Sequence, residues 1–255
     1  MVSIIGSGNA AWVLGTALKK AGMTVDYVAA RNEDEGRELA NALGSQYIPL
    51  SNVDTISSGI VLLGVRDDAI EKVLEDCPFN KSVLIAHVSG PASIQTLNAH
   101  SGPKGVFYPL QSMKKGLETD FTKVPMLIEG TSDDAVESLK NLASKISHDV
   151  RELDSQQRLA LHAAAVWANN FVNHINTETQ RITEKYNLPY DLLVPLIKKT
   201  ADLALESKSK SHQTGPAMRN DASTMDKHLS LMDEEQATLY KVLSKSIQNR
   251  NETEL

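Results

Sequence analysis

The chain has 255 residues, 41% hydrophobic and 23% charged, with 26 basic against 32 acidic side chains and a net charge of −6. That is an ordinary globular balance, and a chain this long buries roughly 70% or more of its unfolded surface without disulfide or metal staples. The acidic excess argues against general nucleic-acid binding, and the lone Cys77 excludes a disulfide framework or a Cys-rich zinc site and reads as a small buried hydrophobe.

In chain order, residues 2–5 form a short β-type run, 10–21 a helix, 24–29 a second strand and 33–43 a charged helix bearing Ala and Leu. Residues 59–65 ("GIVLLGV") are a continuous apolar run, as in a strand covered on both faces. A short helix at 69–74 and a buried strand at 82–88 follow, then strands at 105–108, 125–128 and 149–153, with a helix at 133–146. This alternation predicts an α/β fold, a doubly wound, mainly parallel sheet. The longest clean apolar stretch, 59–65, is far short of the ~20 residues a bilayer requires. The opening "VSIIG" shows no basic leader. The expectation is a cytoplasmic protein with no membrane partner.

After Asp154 the texture changes. About thirty residues from Ser155 to Tyr186 contain neither Gly nor Pro and predict one long helix. Asn187–Pro189 break it, a second helix covers 190–206 with a kink expected at Pro195, and 207–221 are polar and irregular. An amphipathic helix at 233–249 precedes a tail expected to fray. The predicted domains are therefore 1–154, α/β, and 155–255, all-helical.

The stretch "SIIGSGNAAWVLG" carries the first chemistry. Gly6 permits a tight turn off the first strand, and Gly8 lets the main chain approach a pyrophosphate. Ala11 takes the third, small position of the fingerprint, where helix and strand pack closely. The helix starting near Asn9 offers free N–H groups and a positive dipole end to an anion. Ser7, Asn9 and Ala10 complete the expected cofactor cradle. At the end of the second strand, where an NAD site carries an acid, this chain has Arg31 followed by Asn32. A guanidinium fork suits the 2′-phosphate of NADP. The competing Asp26 comes too early in its strand, and Glu33 and Asp34 open the next helix, where acids are favourable. Val65 and Arg66, leaving the fourth strand, are expected beside the cofactor ribose, while Asp67 or Asp68 caps the following helix.

Candidate substrate residues follow. His87, Ser89 and Gly90 end a buried strand at the sheet edge where ligands bind, making Ser89 a candidate substrate or nicotinamide contact. Tyr108 and Gln111 reach toward the same mouth more weakly. In "LHAAAVWANNFVNHI", Asn169 and Asn173 each fall within about 20° of His162 at 100° per residue. Such a stripe either lines a cleft, with His162 as general acid/base and the two Asn as orienting groups, or forms a buried network or subunit contact. In "TGPAMRND", Arg219 reads as a clamp for an anionic substrate with Asp221 holding it, or as a surface ion pair. His228 reads as a half-buried non-ligand. No histidine spacing suggests a metal site, and neither a serine-hydrolase elbow nor a P-loop lysine is present.

"GSGNAAWVLGTAL", "HVSGP", "GVFYPLQSM", "LHAAAVWANNFVNHI" and "TGPAMRNDASTMDKHL" together resemble a bacterial family of NADP oxidoreductases, a Rossmann-like domain followed by a helical domain of unknown function. The wider kinship resembles pyrroline-5-carboxylate reductase, ketopantoate reductase and 3-hydroxyisobutyrate dehydrogenase. The resemblance implies NADP as cofactor and an all-α domain of the 6-phosphogluconate dehydrogenase C-terminal type. It also implies a small-molecule substrate in an interdomain cleft and a homodimer. One departure stands out: the hydroxyacid dehydrogenases use a lysine on the first long helix, whereas here that region carries His162 and no lysine before Lys185. The expected activity is hydride transfer between nicotinamide and a small carbonyl, imine or hydroxyacid. The alternative is an NADP(H)-binding regulator without turnover.

Overall fold

The computed structural model describes residues 1–206 and 210–252. The chain divides into two compact units, Met1–Val166 and Trp167–Leu255. The first thus takes in the helix segment that follows Asp154, beyond the expected 154/155 boundary.

The first unit is built on an eight-stranded sheet of β1 (Val2–Ile5), β2 (Val25–Ala29), β3 (Gln46–Ile48), β4 (Ile60–Leu63), β5 (Leu84–His87), β6 (Lys104–Pro109), β7 (Met126–Gly130) and β8 (Val150–Glu152). Their spatial order is β3-β2-β1-β4-β5-β6-β7-β8. All neighbours pair in parallel except β6 and β7. Order reverses between β1 and β4, where Ile4 sits opposite Val28 on one side and Leu62 on the other. The sheet is the expected Rossmann-like, doubly wound one.

Helices α1 (Asn9–Lys20), α2 (Glu33–Leu43) and α4 (Asp133–Ala143) cover one face. Leu14, Leu18, Leu39 and Leu139 pack there against Ile4, Leu62 and Phe107 in one core. On the other face α3 (Ile70–Asp76) and the single turn at Ile94–Leu97 cover Ile5, Val61, Leu63 and Ile85. Strands buried on both faces read as unbroken apolar runs, which is why β4 and β5 are plain in the sequence. β3 is not: it lies at the sheet edge, and of its three residues, Gln46–Ile48, only Ile48 is buried.

A capping box starts α5 (Ser155–Ala165): Asp154 accepts from the Gln157 N–H, and the Gln157 side chain accepts from the Asp154 N–H. The expected unbroken helix to Tyr186 does not form as such. A π-helical run, Val166–Phe171, separates α5 from α6 (Val172–Lys185).

In the second unit, α6 is followed by a turn at Tyr190–Leu193, then α7 (Val194–Leu205), α8 (Ala222–Leu229) and α9 (Glu234–Glu252). Pro195 stands in the first turn of α7 and kinks nothing; its missing N–H would have no helical partner there in any case. α8 was not anticipated in the sequence. The α8–α9 connection is tied to α6 by Lys185 and Tyr186, which both donate to the Leu231 carbonyl, and by Arg181 on Asp233. Of the expected frayed tail, residues 253–255 lie outside the described residues, as do 207–209 of the irregular segment. Among the described residues no helix is long and apolar enough to cross a membrane.

Candidate active site

The turn after β1 sits at the reversal of strand order, the edge of an open α/β sheet where ligands bind. Gly6 has φ +117, and a Cβ there would stand 2.4 Å from the Gly64 carbonyl oxygen, so only glycine fits between the ends of β1 and β4. Ala11 is buried, and a Cβ on Gly64 would stand 3.1 Å from the Ala11 Cβ. The small fingerprint position thus lets α1 pass close over β4. Gly8 is the N-cap of α1, and no side chain caps it. A Cβ on Gly8 would meet nothing within 4 Å, so this side of the turn is open. An unblocked first helical turn beside an open glycine is what a diphosphate requires; the residues present fit one. Asn9 begins α1, and its Oδ1 accepts from the Lys115 N–H at 2.9 Å, which fastens the segment after β6 to this turn. Ser7 and Ala10 are half-buried, with the Ser7 hydroxyl donating to Glu35 at 2.8 Å.

Arg31 and Asn32 leave β2 at the same edge, both exposed. Asn32 caps α2 by accepting from the Glu35 N–H, which leaves its amide N–H groups to donate elsewhere. Glu33 is drawn off by Arg37, which also stacks over the Tyr47 ring. Among the described residues Arg31 itself makes no ion pair. Val65 is half-buried beyond β4. Arg66 is exposed and forks onto Asp68 at 3.0 and 2.7 Å. The capping role expected of Asp67 or Asp68 is absent: no side chain caps the turn at 67–69 or α3, because Asp68 is engaged by Arg66.

The segment after β5 is a second, tightly built element. His87 is fully buried, and its Nδ1 accepts from the Ser89 N–H at 3.2 Å. Burial, and next the nearby Arg158 charge, push His87 down to about 3, so it is a neutral support and not a proton carrier. Among the described residues its Nε2 makes no hydrogen bond of good geometry, and the Ser93 backbone beside the ring only weakly opposes the downward shift. Ser89 is buried too, and its hydroxyl oxygen accepts from the Ala92 N–H at 3.1 Å, holding the turn. The Tyr108 hydroxyl, from β6, lies 3.1 Å from Nδ1 of His162, with the two rings edge to face at 6.1 Å. A Cβ on Gly90 would stand 2.5 Å from that Nδ1 and 2.8 Å from the Tyr108 Cζ. Glycine is needed there so the pair can meet.

The residue that sequence reasoning missed is Arg158, one turn before His162 on α5. It is 1% exposed. Its guanidinium donates to the carbonyls of Gly90 and Ala92, to the Ser155 hydroxyl and to the Glu129 carboxylate on β7. Ser155 also donates to Glu129 and accepts from the Ile94 N–H. The network fixes the Ser89–Ala92 turn to the start of α5. An arginine at i−4 from a candidate histidine was a readable signal, since the two share a helix face.

The remaining candidates are less gathered. A single His162–Asn169–Asn173 stripe requires 3.6 residues per turn throughout, and the π-helical run breaks that period. His162 belongs to the first unit; Asn169 and Asn173 are exposed residues of the second. Gln111 accepts from the neighbouring Ser112 N–H and stays exposed. Asp221 forms no ion pair with Arg219 among the described residues: it caps α8, accepting from the Thr224 N–H and hydroxyl, and the charge of the exposed Arg219 acts on it only from a distance. That hydrogen bonding pulls the Asp221 carboxyl below its usual range. His228 is half-buried against Tyr240, with Nδ1 2.9 Å from its hydroxyl. A cavity of about 370 Å³ lies on the outer side of α1 between Trp12, Thr16, Lys20 and the segment 115–121. It includes none of Gly6, Gly8, Ser89 or His162.

Fold and site together define a Rossmann-like α/β unit with a phosphate-type glycine turn, followed by a helical unit. Comparisons with known proteins agree. Residues 1–90 match the family described as NADP oxidoreductase, coenzyme F420-dependent, and 124–247 match a domain of unknown function, DUF2520. A Bacteroides fragilis protein assigned as an NADP oxidoreductase, BF3122, is 34% identical, with 97% of each chain covered and a TM-score of 0.87. The chain belongs to this family of NADP oxidoreductases. In fold it also resembles 1-pyrroline-5-carboxylate reductase from Streptococcus pyogenes, at 16% identity, 99% and 98% coverage and a TM-score of 0.62. A reductive aminase from Aspergillus terreus, solved with NADPH and ethyl-5-oxohexanoate, is 12% identical over 98% and 93% of the chains, with a TM-score of 0.73. No curated protein matches the chain.

Proposed function

We propose that this protein is an NADPH-dependent oxidoreductase that moves a hydride between the nicotinamide and a small carbonyl, imine or hydroxyacid. The observation that carries this reading is the open Gly6–Gly8 turn at the strand-order reversal, with the exposed Arg31 at the end of β2. In the reading, the N–H groups at the start of α1 take the diphosphate, Arg31 with the Asn32 amide takes the 2′-phosphate, and Val65 and Arg66 flank the ribose. Two fold relatives are named as an imine reductase, solved with NADP+, and a reductive aminase, solved with NADPH; they favour a carbonyl or imine among the substrate classes. His162 is the general acid/base. Ser89 contacts substrate from its fixed turn, and Asn169 and Asn173 orient it.

The test is Arg31→Asp. It reverses the preference for NADPH over NADH in a binding titration; an unchanged preference refutes the 2′-phosphate assignment. Turnover of NADPH with a small imine or ketoacid separates an enzyme from a protein that only binds the nucleotide.

The protein also works as a homodimer in this reading. Ala217 is the one buried apolar side chain among the described residues of the second unit. Trp167, Leu192, Leu196, Leu205 and Val242 are each more than 60% exposed. A helical unit with so little buried apolar surface needs another surface over it, and a second copy supplies one of matching composition. Light scattering at micromolar concentration gives twice the mass of the chain; a monomer refutes the pairing.

A further inference from the structure

We propose that Tyr108 is the positioning residue for His162: its hydroxyl occupies Nδ1 and leaves Nε2 as the nitrogen that exchanges a proton with substrate. The inference deepens the oxidoreductase reading above and rests on it.

His228 and Tyr240 make a similar contact, but the Tyr108–His162 pair is the one built against the turn after β5. Tyr108 is 7% exposed, packed on β6 with Val106, Leu127 and Leu161, so its hydroxyl cannot swing away to water. It stands 3.1 Å from Nδ1. The absent side chain of Gly90 makes room for the contact, since a Cβ there would collide with both rings. Arg158 fixes the Gly90 and Ala92 carbonyls to the same helix that carries His162. β6, the turn after β5 and α5 thus converge to hold one imidazole edge. An acid/base histidine needs its second nitrogen committed in this way, because the bond there decides the tautomer and the aim of the ring.

A phenol hydroxyl both donates and accepts. It can therefore satisfy Nδ1 whether that nitrogen is bare or protonated, and the pair survives a change of charge on the ring. Burial pushes the Tyr108 phenol upward, with the Arg158 charge opposing more weakly. The hydroxyl accordingly keeps its own proton, and a single proton passes through Nε2. During reduction, the substrate C=O or C=N carbon accepts a hydride from NADPH, which is oxidised to NADP+. The π pair moves to oxygen or nitrogen, and that atom takes the Nε2 proton of the imidazolium. The neutral ring retains its Nδ1 proton, donated to Tyr108 Oη.

The experiment uses Tyr108→Phe in the full chain, which keeps the ring and removes the oxygen. In protein labelled with ¹⁵N-histidine, the His162 Nδ1 resonance moves and its neutral tautomers mix; His162→Gln assigns the signals. With NADPH and 1-pyrroline as probe substrate, kcat falls about tenfold or more, within the range of acid/base contributions, while KM and NADPH affinity stay within about twofold. A ¹⁵N spectrum matching wild type overturns the proposal, as does unchanged kcat. Equal loss in KM and kcat with no spectral change marks a packing role and overturns it too. Wild type that takes up no NADPH in a separate titration fails the reading beneath the proposal, so the two failures are told apart.

Discussion

The guanidinium of Arg158 and the carboxylate of Glu129 form an ion pair in which the arginine side chain is 1% exposed and the glutamate 16%. Two charges withdrawn from water this far depend on each other. Losing one partner of a buried pair costs about 3–5 kcal/mol, because the other is left uncompensated. Arg158→Met should destabilise the chain by that amount in urea unfolding. Arg158→Met with Glu129→Leu should recover much of it, since an apolar pair of similar volume is often neutral. A single variant as stable as wild type would contradict the network.

Gly6 and Gly8 should separate stability from binding. Gly6→Ala forces a Cβ to 2.4 Å from a backbone oxygen, at a φ of +117. Overpacking of this kind costs about 1–3 kcal/mol, visible as a lower urea midpoint. Gly8→Ala meets nothing in the folded chain, and its φ of −74 suits alanine. It should unfold like wild type yet bind NADPH at least about tenfold more weakly, about 1.4 kcal/mol. Equal affinity would mean that no ligand approaches this turn.

Gly90→Ala pushes a methyl into both Tyr108 and His162. The rings are the parts that can yield. The expected result is about 1–3 kcal/mol of lost stability together with a displaced His162 signal in ¹⁵N spectra. Wild-type stability and spectrum would show that the turn has more room than described.

His87 gives the chain an acid-sensitive limb. The native side chain is held at about 3 against an ordinary value of 6.5. Above pH 6.5 both folded and unfolded forms are neutral, and the contribution is fully present. As pH falls below 6.5 the unfolded chain binds a proton that the native chain refuses, so stability declines until about pH 3. The slope is up to about 1.4 kcal/mol per pH unit, or about 2 kcal/mol between pH 7 and 5. Urea unfolding at these two pH values should show that loss in wild type and a smaller one in His87→Gln.

The strands of the sheet other than β3, and the glycine turn, are legible because their signals are local: apolar runs for β1, β4 and β5, and small residues at Gly6, Gly8 and Ala11; the three residues of β3 are too few and too mixed to show a pattern. The π-helical run at Val166–Phe171 left no signal, since it depends on backbone packing and not on residue type. Asp221 did leave one. An aspartate before "ASTM" is an N-cap pattern, and it was read as an ion-pair partner because Arg219 stands nearby in sequence. Arg158 escaped because arginine is rarely buried; only the three-dimensional meeting of Gly90, Ala92 and Glu129 supplies enough acceptors to bury it.

In the function proposed above, backbone amides at the start of α1 grip a dinucleotide diphosphate and Arg31 recognises an additional phosphate. Isothermal titration of ligand-free protein with NADPH and with NADH tests it most directly. The expected result is saturable heat with NADPH and binding at least about tenfold weaker for NADH. Absence of heat with both nucleotides, on folded protein, would contradict it, and a preference for NADH would contradict the role given to Arg31.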